Sequence, residues 1–188
     1  MYRLVRTIDA RPRPWRNGGG LTRELLALPA ADDWRVRVSV AAIERDGPFS
    51  AFPGVERWFA VLDGAGVELT IDGRAYRLLR GDAPLSFSGA AETHCRLLAG
   101  PTQDLNLMLR GVRGAMQPAV DGQPYRAPPG AACGLFSAVA GRCDGVELAP
   151  RTLLWFERPP AALTFHAAQR GTRPHGWWLT VETERSAG

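Results

Sequence analysis

The feature that most constrains the fold of this chain is a long series of short segments in which apolar and polar residues alternate. Residues 34–40 alternate without a fault: the even positions are apolar, and Arg35, Arg37 and Ser39 share the opposite face of the predicted strand. Glycine and proline separate the segments, and the pair Asp72–Gly73 is typical of a type I′ hairpin turn. Short strands with frequent turns predict a sandwich or a barrel.

The chain length and one proline-rich segment predict two halves. Helical periodicity is missing except at residues 21–28, which Pro29 ends early. The 188 residues allow one large domain or two small ones. We therefore predict an all-β chain with two jelly-roll-like halves: an N-terminal half at 1–110, a crossing segment at 111–132 and a C-terminal half at 133–188.

Charge and hydropathy argue against several classes of partner. The formal charge is +4, and all 23 basic residues are arginines that are spread singly and never form a run of three. This spacing argues against a nucleic-acid surface, which needs clustered basic residues. No apolar stretch approaches the roughly 18 residues of a transmembrane helix, and the first residues lack the apolar region of a secretory signal. We expect a cytoplasmic protein with no nucleic-acid or membrane partner; a homodimer is compatible with the sequence.

Cysteine and histidine usage gives no metal or disulfide signature. The three cysteines are not in CxxC spacing, and their odd number suits a reducing compartment. The three histidines are scattered, and the neighbours His94 and Cys95 would point to opposite faces of a strand. We therefore expect no metal ion and no other cofactor at the functional site.

The most distinctive stretch is residues 14–24, PWRNGGGLTRE, in which three glycines free the backbone for tight turns and close approaches. A phosphate-binding P-loop would need a lysine after the glycines, and none is present. A dinucleotide fingerprint would need glycine where Arg23 stands. Two interpretations remain open: a glycine-rich turn that leads into an edge strand, or one wall of a small-molecule pocket.

A second informative segment is the predicted strand 104–110. Its leucines share one face, while Asp104, Asn106 and Met108 share the other. An exposed outer strand would give the same alternation. Asp and Asn are disfavoured in strands, however, so two of them on one face favour an inward polar face that binds a ligand.

A third segment, residues 46–57, combines two prolines with two glycines and is predicted to be a rigid loop. Phe49 and Phe52 are suited to anchor this loop to the core. Such a loop would deliver Ser50 and Arg57 to a pocket in a pre-organised position.

Together these segments resemble the HutD/Ves family. The resemblance covers residues 14–110. The motifs that carry it, in chain order, are Pro14-Trp15-Arg16-Asn17-Gly18-Gly19-Gly20, Thr22-Arg23-Glu24, Arg37-Val38-Ser39-Val40-Ala41, Gly47-Pro48-Phe49-Ser50, Phe52-Pro53-Gly54, Arg57, Gly100 and Asp104-Leu105-Asn106-Leu107-Met108. The sequence departs from the family pattern at Arg16, where lysine is usual, at Ala90 instead of an acid, and at Leu105 instead of phenylalanine.

The resemblance implies a bicupin, that is, two jelly-roll-like β-barrels in one chain. In the HutD branch it also implies a bacterial cytoplasmic protein of histidine utilisation. A small carboxylate of that pathway, urocanate or formiminoglutamate, is the ligand that it suggests; the Ves branch is linked to stress. Metal-dependent cupins need an HxH motif, and the sequence contains none. An arginine-rich cavity suited to a carboxylate remains.

The ligand-binding residues that we predict come from four separate segments. They are Trp15, Asn17, Thr22, Arg37, Ser39, Ser50, Arg57, Asp104 and Asn106. Two classes of function compete: a non-enzymatic binding protein, and a metal-free isomerase or hydrolase with Glu24 or Asp104 as general base. We favour binding and assign no catalytic residue, because no nucleophile–base pair can be assembled from these motifs.

Overall fold

The computed structural model describes residues 1–169, 171 and 174–182, and this part of the chain is all-β as predicted. It contains nineteen strands and one short 3-10 turn, Thr7–Asp9, but no α-helix. The strands are β1 (Arg3–Arg6), β2 (Pro12–Pro14), β3 (Gly20–Pro29), β4 (Trp34–Ile43), β5 (Gly47–Pro48), β6 (Val55–Asp63), β7 (Val67–Ile71), β8 (Arg74–Leu78), β9 (Leu85–Ser88), β10 (Thr93–Leu97), β11 (Thr102–Arg110), β12 (Gly114–Pro118), β13 (Pro124–Tyr125), β14 (Ala131–Ser137), β15 (Gly141–Cys143), β16 (Val146–Leu148), β17 (Thr152–Phe156), β18 (Leu163–Ala167) and β19 (Gly176–Glu182). Within the described ranges, no helix has the length and apolar character needed to cross a bilayer.

The chain divides into two compact units. The N-terminal unit is Arg11–Gly111, and the C-terminal unit combines Met1–Ala10 with the chain from Val112 onward. The first ten residues, expected in the N-terminal half, join the other unit because β1 pairs antiparallel with β17. The expected crossing segment also contains β12, which lies at the edge of its sheet. The last residue of β12, Pro118, has no N–H to donate, but at this edge position no hydrogen bond between strands is lost.

The N-terminal unit consists of two antiparallel sheets. The larger sheet has the strand order β2-β3-β4-β11-β6-β9, and the smaller one has the order β5-β10-β7-β8. The hairpin between β7 and β8 turns at Asp72–Gly73, where both residues have positive φ, as a type I′ turn requires. Residues of β6, β7 and β10 build a buried apolar cluster that includes Phe59, Leu69 and Cys95.

The alternation on β11 is confirmed, and both of its faces are buried. Asn106 stands opposite Ser39 of β4 and Phe59 of β6. Two residues further along β11, Met108 stands opposite Arg37 of β4 and Arg57 of β6. Directly opposed residues share a sheet face, so the polar face of three neighbouring strands is one continuous surface.

The segment that resembled a helix is strand β3, and a β-bulge explains why its pattern was ambiguous. The register of β3 against β4 shifts between Glu24 and Leu26, so Leu25 is the extra residue. Leu25 and Leu26 are consequently both buried, which breaks the two-residue period on which strand prediction depends.

The C-terminal unit also contains two sheets. Their strand orders are β1-β17-β14-β19-β12 and β13-β18-β15-β16. Its apolar cluster includes both remaining cysteines, Cys133 and Cys143, and the stacked rings of Tyr125 and Trp178, whose centroids lie 4.5 Å apart. Burial raises the pKa of both thiols to about 12, so they stay protonated and pack as small apolar groups.

Candidate functional site

A cavity of about 510 Å³ lies in the N-terminal unit, a size suited to a small molecule. All nine predicted ligand-binding residues line it, although they come from separate segments of the chain. They are Trp15, Asn17, Thr22, Arg37, Ser39, Ser50, Arg57, Asp104 and Asn106. Their convergence is a structural fact, whereas their role in binding stays a prediction.

The floor of the cavity is a buried hydrogen-bond relay on β6 and β11. Arg57 Nη2 donates to Asn106 Oδ1 over 3.2 Å, and Asn106 Nδ2 donates to Asp104 Oδ1. The side-chain directions follow from the register, which places all three residues on one face. Because arginine can only donate, the relay also defines which end of the Asn106 amide is oxygen.

At each charged end of the relay, one buried polar atom lacks a partner. Among the described residues, Arg57 Nε and Asp104 Oδ2 are buried and have no hydrogen-bond partner. Burial lowers the pKa of Arg57 to about 10, although the nearby Asp104 charge raises it again in part. Burial likewise raises the pKa of Asp104 to about 7, against the effects of the Asn106 hydrogen bond and the Arg57 charge. Both shifts have the direction expected for a buried charge that lacks partners.

Three phenylalanine rings surround the Arg57 guanidinium. Its central carbon lies 4.9 Å from the ring centroid of Phe49, 5.2 Å from that of Phe87 and 5.9 Å from that of Phe52. The ring faces attract a cation and exclude water from it. Phe87 was not predicted as part of the site; it stands opposite Arg57 in the β6–β9 pair, and only that pairing identifies it.

The second predicted arginine is held by an acid. Arg37 Nε donates to Glu24 Oε2 over 2.9 Å, and the two side chains are less than one-fifth exposed. The guanidinium also lies 5.9 Å from the Trp34 ring centroid. Arg37 therefore reaches the cavity with part of its charge already balanced by Glu24.

The glycine-rich stretch forms a tight turn that lines the cavity and leads into β3. The expected edge strand is wrong, because β2 pairs with the outer side of β3 and is itself the edge of the sheet. The carbonyl of Trp15 accepts a hydrogen bond from Gly18 N, and Asn17 Oδ1 accepts one from Gly19 N over 3.0 Å. Trp15 Nε1 donates to Thr22 Oγ1 over 2.7 Å. Asn17 thus uses one acceptor position of its side-chain oxygen to stabilise the turn.

The proline-rich loop is anchored by its aromatic residues, as predicted. Phe49 N donates to Thr93 O over 2.9 Å, and Phe52 N donates to Gly89 O over 2.6 Å. The Phe49 ring packs edge-on against Trp15, with centroids 6.1 Å apart. Ser50 lies between these anchors and is exposed at the cavity wall.

Several lining residues were not among the predicted nine. Ala41 and Met108 extend the predicted polar faces by one more alternate position, so the two-residue period could have identified them. Arg13 and Arg16 also line the cavity and are exposed. Whether these two residues reach the cavity wall depends on the conformation of the glycine-rich turn that joins β2 to β3, which the local sequence pattern does not show.

No three His, Cys, Asp or Glu side chains of residues 1–169, 171 and 174–182 lie close enough together to hold a metal ion. A metal-free site stays a prediction that elemental analysis of untagged protein must test.

Comparison with solved structures places the fold in a broad class. Chains only 9–11% identical to this one share its fold with TM-scores of 0.61–0.70, among them an oxalate decarboxylase from Bacillus subtilis. The chain is thus a cupin-like all-β protein with a polar cavity in its N-terminal unit. Within that class it belongs to the HutD family, whose model matches residues 7–173.

Individual relatives agree with this assignment. An uncharacterised 21.2 kDa protein from the hutC 3′ region of Pseudomonas putida and the protein Ves of Citrobacter koseri are each 39% identical over 107 residues. These matches cover 56% and 54% of this chain and 56% of each relative, so the chain spans little more than half the length of the curated relatives it matches. The structure of HutD from Pseudomonas fluorescens SBW25, described as a formate condition, is 26% identical with a TM-score of 0.85; the alignment covers 98% of this chain and 100% of that one.

Proposed function

We propose that this protein binds a small carboxylate in the cavity of its N-terminal unit without transforming it. The observation that carries the proposal is Arg57, a guanidinium that is 8% exposed and whose Nε has no partner among the described residues. A buried cation that is incompletely hydrogen-bonded is costly to maintain. A carboxylate would supply the missing acceptor through a charge-assisted bond.

The charge balance of the cavity supports an anionic ligand. Four arginines line it, and Asp104 is the only acid in the lining among the described residues. Because burial raises the pKa of Asp104 to about 7, this acid is only partly ionised at neutral pH. Glu24 offsets Arg37 from outside the lining. The cavity therefore keeps an excess of positive charge, which draws anions towards it.

Membership of the HutD family supports a role in histidine utilisation. The solved structure of HutD from Pseudomonas fluorescens is described as a formate condition, and formate is the simplest carboxylate. We propose urocanate or formiminoglutamate as the ligand, and a cytoplasmic protein that senses or buffers it and thereby modulates the pathway. No metal or other cofactor, nucleic acid or membrane is part of this proposal, and a homodimer is compatible with it.

We also infer that each unit corresponds to one jelly-roll barrel of a bicupin; the two sheets within each unit support this.

One observation favours a second candidate function, a metal-free enzyme. The pKa of Asp104, raised to about 7 by burial, is suited to a general base near neutral pH. Incubating each candidate ligand with the protein and following it by proton NMR tests this function. Turnover that Asp104→Asn abolishes would favour the enzyme, and an unchanged ligand would favour binding alone.

Calorimetry with urocanate, formiminoglutamate and formate tests the binding proposal directly. Arg57→Met should weaken binding of the true ligand by about tenfold or more, because a hydrogen bond to a charged group contributes about 1.5–3 kcal/mol. Arg37→Ala should weaken it less, because Glu24 already holds that guanidinium.

Arg35→Ala is the matched control for these variants. Arg35 lies two residues from Arg37 on β4, but it is exposed and its Nη2 donates to Gly111 O over 3.0 Å. Its replacement should leave the dissociation constant unchanged. The proposal is wrong if Arg57→Met binds all three compounds as tightly as the unmodified protein does.

A further inference from the structure

The two unpartnered atoms in the cavity floor have opposite hydrogen-bonding character. Arg57 Nε is a donor that cannot accept, and Asp104 Oδ2 is an acceptor whenever the carboxyl group is ionised. Arg57 is 8% exposed and Asp104 is 1% exposed, so both side chains are more than nine-tenths buried. Both line the same cavity. Buried polar atoms are rarely left without partners, so two of them in one cavity indicate what the cavity is built to hold.

The two atoms do not satisfy each other; Arg57 and Asp104 are instead linked through the Asn106 amide. Asn106 Oδ1 accepts from Arg57 Nη2, and Asn106 Nδ2 donates to Asp104 Oδ1. This relay uses one oxygen of Asp104 and one of the three guanidinium nitrogens of Arg57, while Asp104 Oδ2 and Arg57 Nε have no partner among the described residues. The unpartnered donor and the unpartnered acceptor therefore belong to the two groups that this one amide links.

We propose that the ligand of this cavity carries a hydrogen-bond donor for Asp104 Oδ2 in addition to the carboxylate that binds Arg57. This inference rests on the proposed function and narrows its ligand class to carboxylates that also bear an N–H or O–H group. A plain carboxylate would satisfy Arg57 alone, leave Asp104 Oδ2 unpaired and bring a second negative charge towards it. Sites built around a buried hydrogen bond reject analogues that lack the matching group, because the site's own polar atom is then stranded.

Two pairs of nearly isosteric probes isolate the donor. Pyrrole-2-carboxylate has a ring N–H at the position where furan-2-carboxylate has a ring oxygen. The second pair, pyrrole-3-carboxylate and furan-3-carboxylate, places the same group further from the carboxylate. Binding is measured by calorimetry well above the pKa of Asp104, which burial raises to about 7, so that the carboxylate is ionised. At least one pyrrole compound should bind about tenfold or more tightly than its furan partner.

Variants of the cavity floor assign the preference to Asp104. Asp104→Leu, which keeps the approximate volume but no acceptor, should bring the pyrrole and furan affinities within about twofold of each other. Asp104→Asn, which can present an N–H at the same place, should shrink or reverse the preference and remains useful if the leucine variant does not fold. Glu56→Gln is the control, because Glu56 adjoins Arg57 on β6, accepts from Ser86 Oγ over 2.9 Å and does not line the cavity. It should keep the full preference.

The outcomes separate this inference from the proposed function. If both members of each pair bind equally and Arg57→Met weakens both, the carboxylate site is supported and the donor inference is wrong. If the probes bind and Arg57→Met changes neither affinity, the proposed function fails and the donor inference fails with it. If no probe binds, the donor inference is wrong, and calorimetry with urocanate, formiminoglutamate and formate decides the proposed function separately. A pyrrole preference that survives in Asp104→Leu would also overturn the inference, because another group would then receive the donor.

Discussion

Replacing Asp104 by asparagine is expected to increase the free energy of unfolding by about 4 kcal/mol above pH 7 and to change it little at about pH 4. Burial raises the pKa of this carboxyl group from 3.8 to about 7, which corresponds to about 4 kcal/mol of preference for the protonated form. Asparagine resembles that neutral form and keeps an oxygen for the Asn106 amide. An effect of this size is a large part of a typical folding free energy of about 5–15 kcal/mol.

The sign of the pH dependence follows from proton linkage. Between pH 3.8 and about 7 the unfolded chain has lost the Asp104 proton while the folded chain still holds it. The folded state therefore binds more protons, and the free energy of unfolding falls as the pH rises through this window. Above the folded pKa both states are ionised, and the Asp104 contribution stops changing. The difference between the unmodified protein and the variant should therefore grow across the window and then level off.

Urea unfolding at a series of pH values measures this difference. Asp104→Leu serves as a control, because it also removes the titrating carboxyl group. Its difference in free energy of unfolding from the unmodified protein should show the same pH dependence, shifted by a constant amount. Parallel stability curves for the unmodified protein and Asp104→Asn would show that the carboxyl group is not held protonated by burial. The nearby Cys95 does not interfere, because burial and the Asp104 charge raise its pKa to about 12, far above the window.

The parts of the fold that sequence patterns predicted are those governed by local alternation. Strands β4 and β11 keep a strict two-residue period, so their buried faces and their shared polar surface were predictable. Strand β3 was not, because the bulge at Leu25 buries two consecutive leucines. The placement of residues 1–10 was not predictable either, since it depends on pairing between Arg3–Arg6 and β17, about 150 residues away. Only long-range register could reveal it.

The candidate site shows the same division. Each of the nine residues was predictable because it lies on a polar strand face or in a conformationally restricted turn. What each residue contacts was not predictable. The sequence shows that Arg37 and Arg57 both face inward, but not that Glu24 holds one while Asn106 holds the other. That asymmetry depends on which side chains become neighbours across strands, and it is the reason why we propose Arg57 rather than Arg37 as the principal anion site.

The three consecutive glycines should respond very differently to substitution, because three different constraints act on them. Gly18 has φ +67°, and a Cβ there would meet nothing within 4 Å. A Cβ at Gly19 would lie 3.2 Å from Asn17 Oδ1, the end of a side chain that can move. A Cβ at Gly20 would lie 2.2 Å from the carbonyl oxygen of Ala42, which belongs to the neighbouring strand β4.

Gly20→Ala is therefore expected to cost about 3 kcal/mol or more of folding free energy and to weaken ligand binding. The overlap is with backbone, so it can be relieved only by separating β3 from β4 where Gly20 pairs with Ile43. The same movement would displace the turn that carries Trp15 and Asn17 into the cavity wall. Gly18→Ala should cost only about 1 kcal/mol, the usual strain of a left-handed alanine, and should leave the turn in place. Thermal unfolding and calorimetry of both variants measure the contrast. Equal stabilities would show that the close approach of Gly20 to Ala42 does not constrain the residue type, and that the glycine run serves only the turn at Gly18.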